Sequence, residues 1–526
     1  MHIFSGYFSG RARTLSAGLP ILFIALIMIL AACGGGTPAV TTSKYGGKIK
    51  AGIGSDVVTL DPLKSSAFVD REVMLNLYDT LVKVDQQNNI VADLATSWTY
   101  QSPTQLVFTL RTDVKFQDGT PFNADAVVFN VNRILATPSS PRFSEMSSVE
   151  NVQAVDASHV QFNLKKPFSP LLATLSDRSG MILSPTALQK AGANVDSNPV
   201  NAGSGPFEFV EWIKGDHLTV KRNPNYWLKD SQGNQLPYLD SITFHPITNG
   251  SVMFNNLETS NINVADGIDP QDVANAKTNS SLIYKQAPGL SFGGFMLNVQ
   301  APPLNNVHVR RAIEWGTNRQ EILHTVFQDI GVLSQGPIPP SSWAYSNSFA
   351  PYSYNVANAK AELAQAGVSN VSFTLLITSG SPTTLQEAQF IQSELQPVGI
   401  TVNLKQETFA TILTDTQVHK FDAALIGWSG RPDPDGNMYS WFHTGGGNNN
   451  MQYSNTQVDS LLDAARVTTD KTQRASDYQQ AQQLILQDSP YVFIDFGITA
   501  QITTSNIKNF TLLPTGITNY AAIYVG

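Results

Sequence analysis

One stretch, residues 371–428, restricts the fold more than any other part of the chain. Val371–Ile377 is a short apolar run of strand length, and Thr384–Gln396 follows with Leu385, Ala388, Ile391 and Leu395 on one helical stripe. Pro397 and Gly399 stop that helix, and Ile400–Leu404 reads as a second strand. A shorter helix near Thr408–Gln417 leads to a third strand, Phe421–Gly427. Strand–helix–strand connections of this length cross over a sheet and leave neighbouring strands parallel. The expectation is therefore an α/β protein. In such sheets a ligand crevice opens beyond the carboxyl ends of the strands. Trp428, Ser429, Gly430, Arg431 and Asp433 follow that end directly, which makes them the candidate binding loop. The alternative is a surface turn around a buried tryptophan.

Further elements support a large ordered body. Asn355 caps a helix carrying Val356, Ala359 and Leu363 and stopped at Gly367. Asn455 precedes Val458, Leu461, Leu462 and Ala465 at helical spacing. Leu106–Arg111, an Asp118-Gly119-Thr120-Pro121 turn and Asn123–Ile134 read as strand, turn and capped helix. At 526 residues the chain has room for two or three domains.

The first residues bear on location. Arg11 and Arg13 precede an apolar run from Leu19 to Ala32, then Cys33 and three glycines. A basic start, a short apolar core and small residues before a break describe a signal peptide, and the run is short for a membrane span. Leu30-Ala31-Ala32-Cys33 resembles the lipobox of bacterial lipoproteins, which implies removal of residues 1–32 and a lipid on Cys33. A buried apolar cysteine and an uncleaved anchor are the alternatives. Cys33 is the only cysteine, so intramolecular disulfides and cysteine metal sites are excluded. Gly- and Thr-rich residues 33–46 read as a flexible tether. The formal net charge of −8, more negative still beyond the two early arginines, disfavours nucleic acid as a partner.

Local catalytic signatures are missing. No two histidines lie within four residues of each other, so an HExxH zinc pair is absent. Gly427-Trp428-Ser429-Gly430 lacks the spacing of a nucleophile elbow, and Gly203-Ser204-Gly205-Pro206 lacks the lysine and length of a phosphate loop. Asp433 and Asp435 read as turn and capping groups in preference to an acid–base or metal pair. No enzyme activity, cofactor or metal is expected.

Several segments, taken in order, resemble the solute-binding proteins of the peptide, dipeptide and nickel family that serve ATP-driven importers. They are Leu60-Asp61-Pro62, Leu77-Tyr78-Asp79-Thr80-Leu81, Ala92–Trp98, Phe108–Arg111 with Val114–Gly119, Gly203–Phe207, Arg222–Trp227, Val309–Ala312, Phe421–Ala423 and Gly427-Trp428. The resemblance implies a periplasmic-binding-protein-like, two-lobed clamp of type II with an additional domain. It implies lobe I at 47–70, 201–288 and 497–526, the additional domain at 71–200, and lobe II at 289–496. It further implies a peptide-like solute held between the lobes, permease subunits of an ABC importer as partners, a lipid-anchored extracytoplasmic location and a monomer. Within that resemblance, carriers of oligosaccharides, opines or metal chelates stay open. So do a receptor-like sensor and, from another class, a secreted hydrolase. Peptide binders of the family that grip a free amine carry an Asp three positions after the matching Trp, where this chain has Arg431. A cation holds no ammonium group, so Arg431 is expected to read an anion, or else to brace its loop against Asp433 or Asp435.

Overall fold

A computed structural model describes residues 43–349 and 352–526. The signal segment, Cys33 and most of the tether lie outside the described residues. Three main sheets organise the rest. The first has seven strands in the spatial order Leu282–Pro288, Ile498–Thr504, Val264–Ala265, Lys48–Ile53, Ser241–Pro246, His217–Arg222, Phe207–Ile213. Lys48–Ile53 runs parallel to Ser241–Pro246, with Ile49 opposite Ile242, and parallel to Val264–Ala265. Ile49, Ala51 and Ile53 are buried, as a central strand requires. The helix Phe68–Leu77 lays Val69, Val73, Met74 and Leu77 into the same core, and Leu183, Ala187 and Ala202 join it.

The second sheet has four antiparallel strands in the spatial order Ala95–Ser102, Gln105–Leu110, His159–Leu164, Val149–Asp156. Its inner strands alternate. Leu106, Phe108 and Leu110 face the core with Val160, Phe162 and Leu164, while intervening residues are more exposed. The helix Ala124–Leu135 covers this face, and Asn123 caps it by accepting from the Ala126 amide.

The third sheet, in the order Ile400–Glu407, Val371–Thr378, Ala423–Leu425, Gly294–Leu297, Tyr491–Phe493, contains the stretch that led the sequence analysis. Val371–Thr378 pairs in parallel with Ile400–Glu407 and Ala423–Leu425, as the crossovers require. Gly294–Leu297 and its neighbour Tyr491–Phe493 add antiparallel strands from distant sequence. The intervening helix is Pro382–Leu395, two residues earlier than expected, because Ser381 accepts from the Thr384 amide and so starts the helix ahead of Pro382. The helix Val356–Gln365 is capped by Asn355 as expected, and the helix Thr456–Val467 begins after Asn455, whose side chain caps it.

The chain passes between the first and third sheets twice, near residues 289–293 and near Gly497. The two crossings touch. A Cβ on Gly289 would stand 2.7 Å from the Gly497 carbonyl oxygen, and the Gly293 amide donates to the Asp495 carbonyl at 2.8 Å. Beside them lie two buried carboxyls, Glu387 and Asp495. Burial, and secondly the charge of Asp495, push Glu387 up to about 8; burial pushes Asp495 up to about 6. A carboxyl raised in the folded state stabilises most below its unfolded pKa, and that contribution is lost as pH rises to the folded value. Glu387→Gln is therefore expected to melt progressively higher than wild type as pH rises from about 5 to about 8. Thermal melts across that range check it, and a constant gap would refute it.

Candidate functional site

The binding-loop candidates leave the third sheet at Ala423–Leu425 and are fastened on both sides. Trp428 exchanges backbone hydrogen bonds with Phe292, at 2.9 and 3.0 Å. Its ring is 6 % exposed, packs edge-on to Trp441 with centroids 5.5 Å apart, and donates from Nε1 to the Gly436 carbonyl at 3.1 Å. Gly430 has φ +75°, and a Cβ there would fall 2.0 Å from the Leu290 carbonyl oxygen, so the turn admits only glycine. This turn sets Arg431 over the face of Trp428, with the guanidinium carbon 4.4 Å from a ring centre.

Arg431 pairs with neither of the acids considered from sequence. Asp433 accepts from Arg474 Nη2 at 2.7 Å, and Asp435 is bidentate to Arg466 at 2.8 Å for both bonds. Arg431 Nε instead meets Asp177 Oδ2 at 3.2 Å, its Nη1 donates to the Gly430 carbonyl at 2.7 Å, and its Nη2 is buried with no hydrogen-bond partner. Asp177 also takes Arg71 Nη1 at 2.8 Å and the Arg178 amide at 2.7 Å. Burial opposes its charge, yet Arg431, Arg71 and Arg178 together hold it well below the usual carboxylate range. Burial likewise pulls Arg431 down, with Asp177 opposing. A fourth guanidinium, Arg142, is 1 % exposed. Its Nη1 stands 2.6 Å from Glu145 Oε1, but no guanidinium nitrogen has a partner in hydrogen-bond geometry.

In front of this loop is a crevice. A cavity of about 80 Å³ is lined by Ser66 and Phe68 on one side, Phe409, Leu413 and Gln417 on another, and Trp428, Ser429, Trp441, Asn448 and Asn450. It adjoins a larger space of about 340 Å³ that shares Ser66, Leu413 and Gln417 and adds Lys64, Asp196, Trp212 and Lys214. The walls come from two cores: Phe409 and Leu413, on the helix Phe409–Gln417, pack against the seven-stranded sheet's core. Thr383 Oγ1 also donates to Asp269 Oδ1 at 2.7 Å across the same gap. Trp428 and Ser429 thus border the crevice, Gly430 and Arg431 form the turn behind them, and Asp433 is occupied by Arg474. Phe409 and Leu413 carry no motif in sequence, and only the docking of that helix on the other lobe reveals them. Arg142 and Asp177 lie in segments with no motif signal. Among the described residues, no group of three or more His, Cys, Asp or Glu side chains is arranged to hold a metal ion.

Comparison with known proteins places this architecture. The family model "Bacterial extracellular solute-binding proteins, family 5 Middle" matches residues 89–449. The chain belongs to that family. A family 5 relative, the probable D,D-dipeptide-binding periplasmic protein DdpA of Escherichia coli K12, is 32% identical over 478 residues, covering 88% of this chain and 91% of its own length. The ABC transporter-associated periplasmic binding protein DppA of Helicobacter pylori, solved with the peptide STSA, superimposes with TM-score 0.84 at 25% identity over 91% of this chain and 98% of its own. AgaA of A. tumefaciens R10, solved with agropinic acid, gives TM-score 0.84 at 26% identity over 91% and 99%. The family 5 fold is the two-lobed clamp expected from the motifs, and its members are binding proteins, not enzymes. No helix among the described residues is long and apolar enough to cross a membrane.

The Asp177 cluster makes a measurable demand. Asp177→Asn leaves Arg71, Arg178 and Arg431 buried without their shared counter-charge, which is expected to cost about 3–5 kcal/mol in chemical denaturation at neutral pH. Because the folded pKa is depressed, that stabilisation is complete above the unfolded value and is lost as pH falls toward the folded one. The gap between variant and wild type should therefore narrow in acid. A neutral-pH cost below about 1 kcal/mol would show that the cluster does not hold the parts together.

Proposed function

We propose that this family 5 protein is the solute receptor of an ABC importer and encloses a peptide or peptide-like acid between its two lobes. The observation that carries the reading is Arg431 Nη2, a buried N–H without an acceptor in the turn behind Trp428, on a small cavity of about 30 Å³ that Arg431 lines together with Glu145 and Asp177. A buried donor left unpaired is costly, and a cargo carboxylate would satisfy it with a charge-assisted bond. Arg142, equally buried and without hydrogen-bond partners, adds a second cation nearby in the same cluster. The AgaA complex with agropinic acid and the DppA complex with a peptide support both halves of the cargo description.

The proposed division keeps lobe I at 47–70, 201–288 and 497–526, the additional domain at 71–200 and lobe II at 289–496. Residues 73–78 and 181–195 of the middle segment nevertheless contribute to the lobe I core. Two crossings between lobes favour closure by hinge motion. Cys33 carries the lipid that tethers a monomeric body to the outer face of the membrane, and permease subunits receive the closed form.

Mass spectrometry of ligand released from the purified protein identifies the cargo class, and an uncharged or cationic ligand would overturn the acid reading. For peptides of equal sequence, a free carboxyl terminus is expected to bind at least about ten-fold tighter than the amide in calorimetry. Equal affinities would remove Arg431 and Arg142 from cargo recognition. Cys33→Ser protein is expected to leave the membrane fraction or to keep its signal segment; processing and fractionation like wild type would refute the anchor.

A further inference from the structure

Asp177 borders a second cavity, of about 100 Å³, that shares no lining residue with the crevice at Trp428. Its walls are drawn from the helix Phe68–Leu77, from residues near 80 and 177, from Pro432 of the binding loop, and from the C-terminal segment 513–519. Leu75, Val84, Pro206, Leu513 and Ile517 make the apolar lining. A space of this size admits an organic molecule of about six heavy atoms.

Its polar groups fall into two sets of opposite need. Arg71 spends Nη1 on Asp177 at 2.8 Å and Nη2 on the Thr515 carbonyl at 3.2 Å, but its Nε–H is buried with no acceptor. Asp79 and Asp93 interact electrostatically; Lys83 Nζ lies 3.2 Å from Asp93, and Arg111 lies over the ring of Trp227, 4.1 Å from its centre. Asp79 accepts from Trp227 Nε1 at 2.8 Å, Ser204 at 3.0 Å and the Tyr226 hydroxyl at 3.2 Å, all neutral donors. Burial, and secondly the charge of Asp93, push Asp79 up to about 7, so an arriving ammonium would favour its charged form, while Arg71 keeps one unused donor. A ligand that answers both carries an ammonium and a carboxylate on a small apolar frame.

We infer that this cavity is an accessory site for a small zwitterion of free amino-acid size, its ammonium held by Asp79 and Asp93 and its carboxylate by Arg71 Nε. The site is independent of the cargo assignment, because none of its residues lines the crevice. Since Pro432 forms part of its wall, an occupant also packs against the loop that carries Arg431.

Calorimetry on the purified protein with L-alanine, propionate and ethylammonium tests the site. L-Alanine is expected to bind, and each single-charge analogue to bind at least about ten-fold more weakly, since it forfeits one charge-assisted contact. Leu513→Trp and Val84→Trp fill the cavity from opposite walls. Each is expected to abolish L-alanine binding while leaving peptide binding in the crevice unchanged. Three results would overturn the inference: no L-alanine binding up to about 10 mM, binding retained in both tryptophan variants, or an analogue binding as tightly as L-alanine. If both variants prove unfolded in thermal melts, a crystal structure of wild type soaked with L-alanine decides: density between Arg71 and Asp79 supports the site, and an empty cavity overturns it.

Discussion

Three arginines from three separate parts of the chain converge on one carboxylate. Arg71 stands on a helix of the seven-stranded sheet's core, Arg178 follows Asp177 beside the four-stranded sheet, and Arg431 belongs to the loop leaving the third sheet. A lone buried carboxylate would pick up a proton or destabilise the fold, and buried guanidiniums have the same difficulty. Neither charge is tolerable unless all four groups are assembled, so the arrangement of the three parts is written into one electrostatic requirement. The same requirement explains why Arg431 is rigid: its backbone is held by Asn437, its Nη1 by the Gly430 carbonyl and its Nε by Asp177.

Two further ion pairs extend this rigidity behind the binding loop. Arg474 fixes Asp433, and Arg466 fixes Asp435 while its guanidinium lies over the Tyr439 ring. The Arg466 carbonyl accepts from the Ser169 amide at 2.8 Å, so the part built on the four-stranded sheet is tied to the back of the same loop. A loop whose charges are already paired loses little freedom on binding, which is the advantage of preorganisation. The aromatic floor has the same character. Trp428 is both a wall of the crevice and a member of the core with Phe292, Trp441 and Tyr491, so its indole is held in place before cargo arrives.

Much of the third sheet was legible in sequence because its elements are local. Val371–Thr378, Pro382–Leu395 and Ile400–Glu407 follow each other with clear caps and stops, and a crossover of that length has one hand and one strand direction. Within the seven-stranded sheet Phe207–Ile213, His217–Arg222 and Ser241–Pro246 pair locally, but its other pairings, and those of Gly294–Leu297 and Tyr491–Phe493 in the third sheet, join segments well over a hundred residues apart. Lys48–Ile53 beside Ser241–Pro246, and Leu282–Pro288 beside Ile498–Thr504, carry no periodicity that names the partner. There, only the ordered motifs of a related family indicated the architecture.

The binding loop divides the same way. Sequence alone determined that Trp428 through Asp433 follow a buried parallel strand, since that is a matter of local order, and the resemblance to the family implied an acid where this chain has Arg431. Sequence also determined the caps at Asn123 and Asn355, because a capping side chain reaches only two or three residues along its own chain. The partner of Arg431 was decided by tertiary structure alone. Asp433 and Asp435 are near in sequence, but Arg474 and Arg466 on two helices take them, leaving Arg431 to Asp177, some 250 residues earlier. Long-range electrostatics of this kind depends on which buried charges finally share a low-dielectric space, and no local pattern encodes that.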